Sequence, residues 1–209
     1  MIVGDIMVKK VHTVGPGDSL KKAQELMVRH QIRHLPVVMG RELMGIITES
    51  DIRGAFIHKK PRGASLTPSR MKVRDHMTIN PMVVVPETPV EDAALIIYRN
   101  KIGALPVVRR QRLVGIVSIM DLLGLFVDMM GILHSSSRID VVLDRNPRNF
   151  EKVSGIIHKA GLNIISVGMA PYGKSGKEQV YFFRVDLCEA SQLAKKIEKA
   201  GFKVVNAVD

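Results

Sequence analysis

The sequence predicts an α+β fold built from two copies of one β-α-β-β-α unit, followed by a different β-α-β-β-α-β unit. Three observations carry this prediction. First, a segment recurs. Asp5-Ile6-Met7 returns as Asp75-His76-Met77, Arg33-His34-Leu35-Pro36-Val37-Val38 as Gly103-Ala104-Leu105-Pro106-Val107-Val108, and Gly45-Ile46-Ile47-Thr48-Glu49-Ser50-Asp51 as Gly115-Ile116-Val117-Ser118-Ile119-Met120-Asp121. One offset relates all three pairs, without a gap from Asp5 to Ile52. Such a repeat need not be stable singly, and two copies about a pseudo-twofold axis imply two pseudo-equivalent clefts. Second, short Val/Leu/Ile runs alternate with helical periods across Gly and Pro turns. Third, the pattern changes after His134-Ser135-Ser136-Ser137, which reads as a linker.

Each copy begins at a short strand, Thr13-Val14 or Val83-Val84, and then turns, at Gly15-Pro16-Gly17-Asp18 or Val85-Pro86-Glu87-Thr88. In the first copy Asp18 or Ser19 caps a helix from Leu20 to His30, with Ala23, Leu26 and Met27 on one face. In the second, Pro89 suits the first helical turn, and Val90, Ala93, Ala94, Ile97 and Tyr98 keep the helical period. Strands follow at Leu35–Met39 and Leu105–Val108. Polar turns come next (Gly40-Arg41-Glu42; Arg110-Gln111-Arg112), then strands through Gly45–Ile47 and Gly115–Val117, then a second helix. Gly54 to Met71 reads as a basic loop containing Lys59-Lys60-Pro61-Arg62. The second helix of the second copy, Met120 to Leu133, is more apolar than a half-buried helix needs, which suits either ordinary core packing or a surface shared with another subunit.

Beyond the linker, Ile139, Val141 and Leu143 alternate as a strand. Asp144-Arg145-Asn146-Pro147 turns, Phe150 to Ala160 is helical, and Gly161 ends it. Asn163–Met169 and Val180–Leu187 read as strands about a hairpin turn, Pro171 to Gly176. A helix from Ala190 to Ala200 and a strand from Phe202 to Ala207 complete the order of a ferredoxin-like split fold. The expected division is 1–56, a basic linker 57–72, 73–133, and 138–209.

Composition narrows the function. Apolar content of 46% and charged content of 24% are globular values. A single cysteine, Cys188, excludes an internal disulfide and fits a reducing compartment. The start lacks a basic region followed by an apolar run, and Asp128 interrupts the most apolar stretch, so a cytoplasmic protein without membrane segments is expected. The formal net charge is +11, compatible with phosphorylated ligands, acidic partners or nucleic acid. With no Trp, three Tyr and six Phe, and no helix-turn-helix, finger or zipper pattern, nucleic acid is the weakest of these. No Walker loop, HExxH or GxSxG occurs. Cys188 has no suggestively spaced His, and the pair His30/His34 lacks a third ligand. Neither an enzyme nor a metal site is expected.

The residues with chemical potential lie where the second strand of each copy runs into its second helix. Gly45 permits close backbone approach to a ligand. Thr48 offers a hydroxyl, and Asp51 a carboxylate one turn on, at a helix start that favours anions. The carboxylate can accept from a ribose diol. Gly115, Ser118 and Asp121 repeat the arrangement. Helix capping is the alternative use of the same residues, and the recurrence in register favours ligand binding. The clefts differ: Arg33, His34 and Arg53 offer phosphate-neutralising groups to the first, with exposed cations favoured at a helix C-terminus as the alternative use of Arg33 and His34, whereas Gly103, Ala104 and Leu123 leave the second apolar and open.

These motifs make residues 1 to about 130 resemble a tandem pair of CBS domains. The resemblance implies binding of AMP, ADP or ATP, less so S-adenosylmethionine or cyclic di-AMP, with Asp51 and Asp121 on ribose and Thr48 and Ser118 beside them. It also implies that Leu35, Pro36, Leu105 and Pro106, with Thr13, Val14, Val83 and Val84, help enclose the base. Residues 138–209 resemble an ACT domain, on Asp144-Arg145-Asn146-Pro147 and Gly161-Leu162-Asn163-Ile164-Ile165-Ser166. This implies an effector site at Asp144, Asn146, Asn163 and Ile164, although Arg148 stands where that family commonly has Gly, so a structural or dimerising role is the alternative. The whole resembles the acetoin-utilisation CBS–ACT family. A non-catalytic regulatory sensor follows, requiring no cofactor, forming a homodimer through CBS or ACT surfaces and acting on another protein. A ligand-independent scaffold is the second reading and a nucleic-acid regulator the third.

Overall fold

A computed structural model describes residues 1–57, 67–173 and 178–209. The run Lys59-Lys60-Pro61-Arg62 and the tip Lys174-Ser175-Gly176 lie outside these. The chain divides into two units, Met1–Leu123 and Gly124–Asp209.

In the first unit, α1 (Val3–Ile6) precedes α2 (Leu20–His30), β1 (His34–Met39), β2 (Glu42–Thr48) and α3 (Glu49–Ile57). The second copy follows with a 3-10 turn (Val73–Asp75), β3 (Thr78–Ile79), α4 (Val90–Asn100), β4 (Ala104–Arg109), β5 (Arg112–Ser118) and α5 (Ile119–Met129), of which Ile119 to Leu123 belong to this unit. Helix α2 starts where Ser19 Oγ accepts the Lys22 N–H at 3.2 Å. It stops at Gln31, and α4 stops at Lys101, both in the left-handed region at φ 53°. Each copy pairs its two long strands as an antiparallel hairpin, and the register shifts at equivalent places, Val37/Val38 and Val107/Val108.

Several expectations are corrected. The opening strands shrink to single bridges, Val14 to Val37 and Val84 to Val107. Helix α3 runs through Gly54 to Ile57, where a loop was expected. Helix α5 ends at Met129 rather than Leu133, because the chain turns from Met130 and Gly131 has φ 64°.

Two cores form in this unit, and each borrows from the other copy. Val73 and Met71 are buried with Leu20, Met27, Leu35 and Ile47 of the first copy. Val3 is buried with Val84, Ile97, Leu105 and Val117 of the second. The segments leading into the two repeats are therefore exchanged. Backbone bonds fix the exchange: Val3 N–H donates to Thr88 O at 2.8 Å and Val8 N–H to Ile116 O at 2.9 Å. Reciprocally, Val73 N–H donates to Asp18 O at 2.9 Å and Leu20 N–H to Met71 O at 2.9 Å.

This exchange reassigns the motif glycines. A Cβ on Gly45 would meet Thr78 O at 2.6 Å and Met77 Sδ at 2.9 Å, and one on Gly115 would strike Met7 Sδ. The glycines admit the other copy's leading segment, in place of the ligand approach expected for Gly45.

The second unit contains β6 (Ser136–Leu143), α6 (Pro147–Lys159), β7 (Ile164–Tyr172), β8 (Glu178–Asp186), α7 (Ala190–Lys199) and β9 (Lys203–Val208). Its antiparallel sheet runs β7-β8-β6-β9, the order expected of a split β-α-β arrangement. Ile139, Val141, Phe183 and Val185 meet Val153, Ile157, Leu193 and Ile197 of the helices in one core. Here Ser136 and Ser137 belong to β6 and not to a linker. Ser137 is fully buried, and its Oγ accepts from Cys188 N–H and donates to Cys188 O, both at 2.9 Å. Helix α6 begins at Pro147, three residues early, because Asn146 caps it. Pro171 and Tyr172 remain in β7, paired with Gln179 and Glu178.

Candidate nucleotide clefts

The turn from β2 into α3 holds the motif rigidly. Thr48 N–H donates to Asp51 Oδ2 at 2.8 Å and the Thr48 hydroxyl to the same oxygen at 2.7 Å, while Asp51 N–H donates back to Thr48 Oγ1 at 3.1 Å. Ser118 and Asp121 repeat this at 2.7, 2.6 and 3.4 Å. The helix start is thus capped, and the hydroxyl proton is already committed to the carboxylate. Each Asp keeps its Oδ1 without a hydrogen-bond donor among the described residues. A carboxylate offers about four lone-pair positions. Two are used on Oδ2, and two remain on Oδ1.

The surrounding residues separate into core and surface. Val14, Leu35 and Leu105 are buried in the two cores, and their side chains pack the sheet; Val84 is buried in the second core and also borders a surface hollow. Pro36 and Pro106 are buried as well, and their carbonyls accept the N–H groups of Val14 and Val84, each at 3.2 Å. Thr13 is half-buried and Val83 exposed. Val83 lines an apolar hollow of about 510 Å³ with Val84, Val85, Thr88, Asp92, Leu95 and Ile96.

The charged residues of the first copy do not act as one group. Arg33 and Arg53 flank Glu49, at 3.8 and 3.5 Å, and all three side chains are more than half exposed. Such pairs contribute about 0–1 kcal/mol, so an anionic ligand can displace Glu49. They line a groove of about 430 Å³ beside the end of α2. His34 goes elsewhere. Its imidazole lies against Gly103 of the second copy, where a Cβ would collide with Nε2. Burial is the main cause that holds its pKa below the ordinary 6.5; Arg33 adds to this and Asp51 opposes it. The second cleft is therefore not open at Gly103: the ring of His34 fills that space, and Ala104 is buried. The difference between Arg33-His34 and Gly103-Ala104 is a complementarity across the pseudo-dyad, which aligning the copies cannot reveal.

His30 does not approach His34 as a ligand pair. It stacks on His12, with ring centroids 3.6 Å apart and planes at 16°. Among the described residues no three His, Cys, Asp or Glu side chains cluster to hold a metal, and no helix is long and apolar enough to cross a membrane.

The four residues expected as an effector site in the second unit do not come together in one chain. Asp144 Oδ1 accepts from Asn146 N–H at 3.0 Å and Asn149 Nδ2 at 2.8 Å, at the start of α6. Asn163 and Ile164 follow its far end, about 20 Å away by the rise of a 13-residue helix. There Asn163 donates twice to Asp186 Oδ2, each at 2.8 Å.

Comparison with known proteins agrees with the duplicated geometry. The family profile of the CBS domain matches residues 3–58 and 73–128. Among curated relatives, an inosine-5'-monophosphate dehydrogenase of Korarchaeum cryptofilum is 39% identical over 116 residues, 55% of this chain and 22% of that protein. The chain spans between about a fifth and a third of the length of the first curated relatives it matches. Among solved structures, the CBS domain pair of protein MJ0100, in complex with 5'-methylthioadenosine and S-adenosyl-L-methionine, is 30% identical with a TM-score of 0.53, over 60% of this chain and 95% of that one. CBSX2 of Arabidopsis thaliana, in complex with AMP, is 29% identical with a TM-score of 0.52, over 61% of this chain and 96% of that one.

Proposed function

Because this chain belongs to the CBS domain family, we propose that it is a non-catalytic regulatory sensor that binds adenine nucleotides in its two clefts. AMP, ADP or ATP are the leading ligands, and S-adenosylmethionine and cyclic di-AMP share the chemistry. The observation that carries this reading is the mirrored carboxylate. Asp51 and Asp121 are each fixed by two bonds to Oδ2, and each presents an Oδ1 that accepts from no donor among the described residues. Two remaining lone pairs match the two donors of a ribose diol. The complexes of MJ0100 and CBSX2 with adenosine compounds support the same assignment.

The clefts are not equivalent. Arg33 and Arg53 serve a phosphate in the first cleft once Glu49 gives way, and the second suits a more apolar ligand. A nucleotide held to one copy and touching the other favours one relative arrangement of the copies, a population shift that a partner protein reads. The second unit serves as an ACT-like regulatory or dimerising module, as in the acetoin-utilisation family, and the exposed Ile119, Met120 and Leu123 of α5 support a homodimer. A cytoplasmic location fits the lone cysteine.

Calorimetric titration with AMP, ATP, S-adenosylmethionine and cyclic di-AMP tests the reading. Asp51→Ala and Asp121→Ala should each weaken one binding event by about 10- to 100-fold, from loss of bonds to a charged acceptor worth about 1.5–3 kcal/mol. No heat with any ligand sinks the sensor and leaves the motif as a helix cap in a scaffold.

A further inference from the structure

The two long hairpins turn at Gly40-Arg41 and Arg110-Gln111, and these turns meet. Leu43 N–H donates to Gln111 O at 3.2 Å, Leu113 N–H to Arg41 O at 2.9 Å, and Glu42 faces Arg112 in the pairing of β2 with β5. Between them lies a hollow of about 610 Å³ lined by Met39, Arg41, Glu42, Arg110, Gln111 and Arg112. Three guanidiniums share it with one carboxylate. Among the described residues, none of the three has an ion-pair partner within 4.0 Å, whereas the adjacent Arg109 is paired with Glu87.

The backbone of the second turn is strained to present these groups. Arg110 and Gln111 have φ of 50° and 65°, the pattern of a type I′ turn, which ordinarily takes Asn-Gly. A side chain in this region is unfavourable by about 1–2 kcal/mol per residue. The first copy avoids the strain: Gly40 takes the left-handed position at φ 66°, and Arg41 is not left-handed. The second copy has Arg where the first has Gly, and Arg112 where the first has Glu42. Duplication alone does not produce this concentration of charge.

We propose that the hollow where the two hairpin turns meet binds a compact polyphosphate anion, held by Arg41, Arg110 and Arg112. The site is separate from the adenosine clefts, because seven residues of β2 put it about 20 Å from Thr48. Its lining contains no aromatic ring on which a base could stack, which favours a small anion over single-stranded nucleic acid. Since Arg41 belongs to one copy and Arg110 and Arg112 to the other, the bound anion ties the copies together at their hairpin tips.

Calorimetry of the full chain with inorganic triphosphate, at about 0.15 M salt, tests the assignment. Wild type and the Arg33→Gln/Arg53→Gln variant, which removes the phosphate-neutralising pair of the first cleft, should bind alike. Arg110→Gly/Arg112→Gln, which gives the second turn the glycine of the first and sets no second carboxylate opposite Glu42, should bind at least tenfold more weakly and melt no lower than wild type. Arg41→Gln/Arg112→Gln, which leaves both left-handed turn residues in place, should also lose affinity. Failure of wild type to bind overturns the proposal, as does unchanged affinity in both hairpin-turn variants. Loss confined to the Arg33/Arg53 variant assigns triphosphate to the first cleft instead. Retention of duplex DNA that is lost in the hairpin-turn variants, without triphosphate binding, makes this a nucleic-acid surface.

Discussion

His34 and Gly103 show how a residue difference between the copies is used. The ring of one occupies the space the other lacks a side chain to fill. Because burial lowers the His34 pKa, the unfolded chain takes up this proton at a higher pH than the folded one. The resulting stability is complete above the ordinary value of 6.5 and is lost as pH falls below it. Melting curves between about pH 7.5 and 5.5 should therefore show a larger fall for wild type than for His34→Asn. Gly103→Ala forces the ring to move and should destabilise by about 1–3 kcal/mol in chemical denaturation. The sequence exposes both residues as candidates, because they break an otherwise matching strand. Their partnership depends on where the pseudo-dyad places them, and no local pattern encodes that.

At the scale of elements, the strong periods are legible and the short pieces are not. Helices α2, α4 and α7, with their apolar faces and their Gly or left-handed stops, and the paired strands of each copy are readable from the residues. Helix α1 has four residues and the 3-10 turn three, too few to show a period, yet they carry the exchange between cores. The capping by Asn146 was hidden by Pro147, which reads equally as a turn or as a first helical residue. Two glycines test the difference between crowded and free positions. Gly45→Ala pushes a Cβ into the backbone carbonyl of Thr78 and should destabilise by about 1–3 kcal/mol. Gly155→Ala, inside α6 with no atom within 4 Å of the new Cβ, should stabilise by about 0.5–1 kcal/mol. Denaturant midpoints of the two variants should move in opposite directions.

For the molecule as a whole, the duplication gives the internal symmetry and the position of both carboxylates, because motif and register repeat together. What it conceals is that the repeat in sequence is not the repeat in space. Val3 completes the core of the second copy, and Met71 and Val73 complete that of the first. Each contact made by these segments spans most of a copy or more, so the first core closes only once the chain has passed Val73, and the second, which uses Val3, only once both copies are synthesised. The peptide connection between Ile57 and Thr67 is then a means of keeping the copies at high effective concentration. Cleavage at a protease site inserted there should leave the two pieces co-migrating in gel filtration under native conditions, and their separation would show that connection to be essential. A chain of only one such repeat would complete its core by trading its leading segment with a second copy of itself, so the fused pair is physically a domain-swapped dimer whose partners happen to share a backbone.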